Sequence, residues 1–268
     1  MNLEDEQIGI LGVGSMGRAL ALGLCNAGFA PNKLMLCDKA QELASNTATE
    51  LGARSVASSA LLAEKSDTVI IAVKPGDVEA ALKNVSITDP LWISIAAGLT
   101  ISKLHSYLSK EARIIRAMPN TPALIGEGAT SFVVGKKTKE SDKAIASTIF
   151  SSVGKVWEAP SETLLDAVTG LSGSGPAYIF VLIEALADAG VREGLPREAA
   201  QLLATQTVVG AGILARESDK SPADLKDQVS SPGGTTIAGL GALEAAGLRS
   251  AIYRAVRAAT LRSKELAN

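Results

Sequence analysis

One histidine, two cysteines and 3 % aromatic residues are the scarcities of this 268-residue chain. With His105 alone, no multi-histidine metal site can be built. A Ser-His-Asp triad would have to use His105, and no G-x-S-x-G turn exists to present its nucleophile. Cys25 and Cys37 cannot form a disulfide framework, and their spacing fits no zinc motif. So few aromatics offer no platform for stacked bases. Charge is almost balanced, with 26 Lys+Arg against 28 Asp+Glu. Neither part of the chain is a polyelectrolyte, since residues 1–160 carry 16 of each sign and residues 161–268 carry 10 basic and 12 acidic. The expectation is therefore no nucleic-acid partner and no metal. Residues 1–7 are acidic and lack the apolar core of a signal peptide. The most apolar runs, 168–183 and 202–215, are broken by Gly, Pro, Ser or Thr and fall short of a membrane span. These absences predict a soluble cytoplasmic protein with no membrane partner.

Hydrophobic residues make up 47 % of the chain, enough for a sizeable core, and the length suggests about two domains. Short apolar runs at 7–13, 33–38, 67–73, 91–96, 112–117 and 129–134 read as buried strands. Helical patterns follow at 15–27, 40–51, 102–108 and 141–152. Alternation of this kind predicts a parallel sheet covered on both faces, an α/β Rossmann-type domain over residues 1–160. Beyond Pro160 no strand pattern remains. Helices are expected at 177–189, stopped by Gly190 and Gly194, and at 196–217, 235–246 and 248–266. The first of these is apolar on every side and must be buried all round. A helical segment of about 100 residues has little core in which to hide it. Residues 161–268 are thus expected to be an all-α domain that dimerises.

Gly12, Val13, Gly14, Ser15, Met16 and Gly17 spell G-x-G-x-x-G where the first strand meets the first helix. Gly12 permits the tight turn, Gly14 lets a pyrophosphate approach the backbone, and Gly17 lets helix and strand pack closely. The helix N-terminus then offers unpaired N–H groups to phosphate. Asp38 closes the second strand, where an acid accepts the ribose hydroxyls of NADH and repels the 2′-phosphate of NADPH. It could equally be a turn residue, and Lys39 or Arg54 could offset its charge, so NADH is mildly favoured and NADPH stays open. Ala72, Val73, Lys74 and Pro75 follow another strand, where Lys74 suits either a charge near the ligand or a solvated strand end. Ala96, Ala97 and Gly98 leave the next, with side chains small enough for a nicotinamide to lie against. Asn120 belongs to a proline-rigid loop, 116–122, expected to face the cofactor. A second cluster, Ser230-Ser231-Pro232-Gly233-Gly234-Thr235-Thr236, precedes an apolar helix. Two glycines and two threonines exceed what helix capping needs, and such a loop suits a carboxylate. The stretch 172–176 reads as structural, packed against another backbone.

Segments 12–17, 72–75, 116–123, 172–178 and 227–239 resemble pyrroline-5-carboxylate reductases, end to end and in domain order. The resemblance implies reduction of 1-pyrroline-5-carboxylate to L-proline by NADPH or NADH. It implies that Thr236 hydrogen-bonds the substrate ring nitrogen and that Ser231, Gly234 and Thr235 bind its carboxylate, reached from a partner subunit. It also implies Gln228 near the nicotinamide, Asp166 and Asp219 near the substrate, and Ser59 on the adenosine side. Intertwined dimers, often built into decamers, are the implied assembly. Two rivals differ in their needs. A β-hydroxyacid-type reductase wants a lysine on a second-domain helix, but residues 161–268 hold only Lys220, Lys226 and Lys264, none in the helix after Gly175. A non-catalytic dinucleotide sensor would have no use for residues 231–236.

Overall fold

The computed structural model describes residue 3, residues 5–87 and residues 89–267. By packing, these form two compact units: the chain through Ser174 together with the stretch from Arg257 onward, and Gly175–Val256. The sequence pattern had placed the change of character near Pro160.

In the first unit, chain order runs β1 (Ile8–Leu11), α1 (Ser15–Asn26), β2 (Leu34–Cys37), α2 (Gln41–Leu51), β3 (Arg54–Ser55), α3 (Ser59–Glu64), β4 (Thr68–Ile71) and α4 (Val78–Leu82). It continues with β5 (Leu91–Ser94), α5 (Ile101–Tyr107), β6 (Arg113–Met118), β7 (Gly128–Val134), α6 (Glu140–Ser151), β8 (Gly154–Glu158) and α7 (Leu164–Val168). The strands make one eight-stranded sheet in the order β3-β2-β1-β4-β5-β6-β7-β8. Every residue of β1, β2, β4 and β5 is buried, because apolar layers cover both faces. Leu20, Leu24, Ala48, Ile149 and Phe150 from α1, α2 and α6 pack on one face. Leu62, Val78, Leu82 and Leu104 from α3, α4 and α5 pack on the other. This is the doubly wound arrangement expected.

The sheet is not wholly parallel, and there the expectation needs correcting: β7 runs antiparallel to β6. Only residues 119–127 connect them, and a parallel return needs a crossover of a dozen residues or more. Strands β3 and β8 and helices α3, α4 and α7 were not read from the sequence. All are short or exposed, so they carry too few residues to display a period.

The second unit is helical: α8 (Gly175–Arg192), α9 (Arg197–Glu217), α10 (Pro222–Gln228), α11 (Thr235–Ala245) and the first part of α12 (Leu248–Ala267). Gly190 does not stop α8, contrary to the sequence reading. A Cβ there would lie 3.2 Å from the Ala200 Cβ, so the glycine serves close packing of α8 on α9. Gly194, at φ +99°, follows the end of the helix. Among the described residues of this unit only Ala187, Ala200 and Ala204 are buried, while Ile179, Phe180, Val181, Leu182 and Leu186 of α8 are exposed. The run Leu164–Arg192 also corrects the estimate of apolar length. Taken together, α7, a π-helical turn at Thr169–Gly173 and α8 span 29 residues, long and apolar enough by length and composition to cross a membrane.

Asp142 anchors α6 to the sheet. It is fully buried, pairs with Arg113 of β6, and accepts the Lys139 N–H at 2.7 Å. Arg113 also donates to the Asp89 carbonyl at 2.8 Å. Removing one member of such a pair leaves the other charge uncompensated. Asp142→Ala should therefore destabilise the protein toward the low end of about 3–5 kcal/mol, since Arg113 keeps some access to water. Denaturant unfolding reads this out, and a change below about 0.5 kcal/mol would remove Asp142 from that role.

Candidate active site

The glycine turn is shaped by two close approaches. Gly12 has φ +100°, and a Cβ on it would sit 2.7 Å from the Ala72–Val73 backbone. A Cβ on Gly17 would stand 2.0 Å from the Gly12 carbonyl oxygen. Gly14, by contrast, has nothing within 4 Å of such a Cβ. It is the residue before α1, whose N-terminus has no side-chain cap and no acid in its first turn. Its N–H groups are left for an anion, as a pyrophosphate requires.

A cleft of about 510 Å³ opens on this turn. Gly12, Gly14, Asp38, Ser59, Ala72, Val73 and Lys74 all line it. Val13, Ser15, Met16, Gly17 and Pro75 stand in the same turns but outside its lining. Asp38 is held rigidly. One carboxylate oxygen accepts the Val13 N–H at 2.7 Å and the other accepts the Ala40 N–H at 2.9 Å. Each oxygen keeps a further lone pair for a ligand hydroxyl. Asp38 is therefore both the turn residue and the acid of the cleft, which unites the two readings of it. Cys37 also lines the cleft, and burial, aided by the Asp38 charge, pushes its thiol above the ordinary range. It behaves there as a small apolar residue.

The sequence reading did not find Ser58 or Asp77. Ser58 Oγ caps α3 by accepting the Leu61 N–H at 3.2 Å. Asp77, which lines the cleft, pairs with Lys39 at 3.0 Å. Its signal was the Asp that directly precedes the apolar Val78, an ordinary helix-start pattern.

Other residues of the first unit lie outside this cleft. Ala96 is buried and Ala97 exposed after β5. The Gly98 position is pressed from the other side by the Leu266 backbone, 3.1 Å from a hypothetical Cβ. Asn120 is buried and both ends of its amide are engaged: Nδ2 donates to the Ser172 carbonyl at 3.0 Å, and Oδ1 accepts the Ala129 N–H at 2.8 Å. It ties the loop after β6 to the π-helical turn. Residues 172 and 173 are part of that helical run, and a Cβ on Gly173 would meet the Met118 side chain at 2.8 Å, so the neighbour is a side chain and not backbone. Asp166 of α7 accepts from Ser263 Oγ of α12 at 2.7 Å, which fastens the returning end of the chain.

In the second unit, Gly234 immediately precedes α11 and no side chain caps the helix. Ser231 folds under it: its carbonyl accepts the Gly234 N–H at 3.0 Å, and a Cβ on Gly234 would strike Ser231 Oγ at 2.3 Å. Gly233 takes φ +68° to make the turn. Capping thus leaves Thr235 and Thr236 unexplained. Thr235 is exposed and Thr236 partly so. Gln228 ends α10 and Asp219 lies in the turn before it, both exposed.

Two family models match the chain. One describes pyrroline-5-carboxylate reductase dimerisation and covers residues 162–266. The other, described as NADP oxidoreductase coenzyme F420-dependent, covers residues 7–98. A pyrroline-5-carboxylate reductase of Methanosarcina acetivorans is 44 % identical, over 98 % of this chain and 99 % of the relative. The chain belongs to the pyrroline-5-carboxylate reductase family. A solved reductase of this family from Coxiella burnetii superposes with a TM-score of 0.94 at 36 % identity, covering 98 % of this chain and 99 % of that one. Another, from Plasmodium falciparum with NADP bound, gives 0.88 at 36 % identity over 100 % of both chains. The exposed apolar helix α8 lies within the dimerisation domain of the family.

The two glycines divide cleanly as variants. Gly17→Ala should cost about 1–3 kcal/mol, as overpacking does, and lower the melting temperature. Gly14→Ala should leave the melting temperature nearly unchanged, its effect falling on ligand affinity. Equal melting temperatures for the two variants would contradict the packing described for the turn.

Proposed function

We propose that the chain transfers hydride from a nicotinamide dinucleotide, NADPH or NADH, to the C=N carbon of 1-pyrroline-5-carboxylate, giving L-proline. Near-full-length identity to reductases of that name supports the reaction. The observation that carries the site is the uncapped start of α11, where Thr235 and Thr236 follow a Ser-Pro-Gly-Gly turn and no side chain caps the helix.

The bound dinucleotide supplies the hydride. Gly12, Gly14 and the first turn of α1 hold its pyrophosphate, and Asp38 and Ser59 face its adenosine side. The backbone after β4 and β5, at 72–75 and 96–97, borders the remaining length. Ser231, Gly234 and Thr235 grip the substrate carboxylate, and Thr236 hydrogen-bonds the ring nitrogen. Gln228 stands toward the nicotinamide end, with Asp166 and Asp219 as acids near the substrate. Asn120 acts by fixing its loop, since both ends of its amide are already engaged. A cyclic imine needs no covalent catalyst, so orientation carries the acceleration, which can reach roughly 7–11 kcal/mol. The working form is a homo-oligomer in the cytoplasm, built from dimers and assembled into a decamer, with the 231–236 loop serving the partner's nucleotide. The sparsely buried second unit supports that need for a second copy.

The test is imine-dependent oxidation of NADH and NADPH by the wild type and by Thr236→Ala. One hydrogen bond is worth about 0.5–1.5 kcal/mol if neutral and 1.5–3 if charge-assisted. Thr236→Ala should therefore lower kcat/KM roughly 10–100-fold. A loss of many orders of magnitude would make Thr236 an obligatory proton donor, and no loss would remove it from the site. Nucleotide binding without any oxidation would favour the sensor.

A further inference from the structure

Building on the dinucleotide reading of the cleft, we infer that its wall selects the unphosphorylated cofactor, NADH, through two carboxylates, Asp38 and Asp77, the second acting on Lys39. Asp38 cannot turn aside to admit a 2′-phosphate. Its two oxygens are pinned by the Val13 and Ala40 N–H groups at 2.7 and 2.9 Å. Moving it would also release the glycine turn, because Val13 lies inside that turn. A carboxylate so placed accepts ribose hydroxyls, whereas a phosphate brings only acceptors and a charge of about −1.5 to −2.

The cations that could offset this are accounted for. Arg54, which the sequence offered as one, donates to Gln7 Oε1 at 2.7 Å and does not line the cleft. Lys39 does line it, but its ammonium lies 3.0 Å from Asp77, which lines the same cleft. Lys74 is the other lining cation. Two acids and two bases thus face the cleft, with no excess of positive charge to meet a phosphate. The Lys39–Asp77 pair is exposed, so it modulates the preference, and Asp38 sets it. The neighbour from Plasmodium falciparum has NADP bound, so the inference concerns this chain's own wall.

Equilibrium titration by nucleotide fluorescence, with NADH and NADPH and no imine present, measures this without turnover. The wild type should bind NADH at least about tenfold more tightly, a difference of about 1.4 kcal/mol. The ratio of the NADPH Kd to the NADH Kd should fall about two- to fivefold in Asp77→Ala, as an exposed pair allows. It should rise in Lys39→Ala. It should fall furthest in Asp38→Asn, which keeps an acceptor for Val13. Equal or tighter NADPH binding by the wild type, or an unchanged ratio in Asp77→Ala, would overturn the inference while leaving the reductase reading intact. Failure to bind either nucleotide would overturn both.

Discussion

The seat of α1 on the Gly12 carbonyl is the constraint on which the first unit turns. A single Cβ at Gly17 would stand 2.0 Å from that oxygen, so helix and strand can meet only through glycine. Close seating aims the uncapped start of α1 at the cleft. It also fixes where Val13 offers its N–H, and therefore where Asp38 must stand to accept it. Anion cradle, acid and strand ends follow from one contact between backbones. The apolar layers on both faces of the sheet hold that arrangement still.

The second unit obeys a different constraint. Its helices bury three alanines and expose large apolar side chains along α8. A helical segment this small cannot shelter such a helix alone, and the matching dimerisation domain identifies self-association as the remedy. The loop before α11 is mounted on these same helices. The C-terminal end of α12 belongs with the first unit, where Ser263 meets Asp166.

Much of this was legible in the residues. Fully buried strands and long helices with clear periodicity, such as β1, α1 and α9, fell where the pattern put them. The glycine turn and Asp38 declared the cleft. What stayed hidden depends on long-range geometry. A two-residue edge strand and a five-residue helix have no period to read. The antiparallel β7 follows from the length of its connection, and the role of Gly190 follows from what lies opposite it. Asn120 was expected to face a cofactor, and its ties to Ser172 and Ala129 are long-range contacts that the sequence does not display. Lys39 and Asp77 meet only because β2 and the turn after β4 end at the same rim, a closeness that a sequence separation of 38 conceals.

Transfer of the nicotinamide hydrogen to the imine carbon tests the central claim most directly. Incubation of the protein with 1-pyrroline-5-carboxylate and a reduced dinucleotide deuterated at the transferable C4 position, followed by mass spectrometry of the product, follows that atom. The account predicts proline carrying the deuterium on Cδ, the ring carbon next to nitrogen that bears no carboxylate. Dinucleotide oxidation without labelled proline, or no oxidation by a protein that still binds the nucleotide, would contradict it.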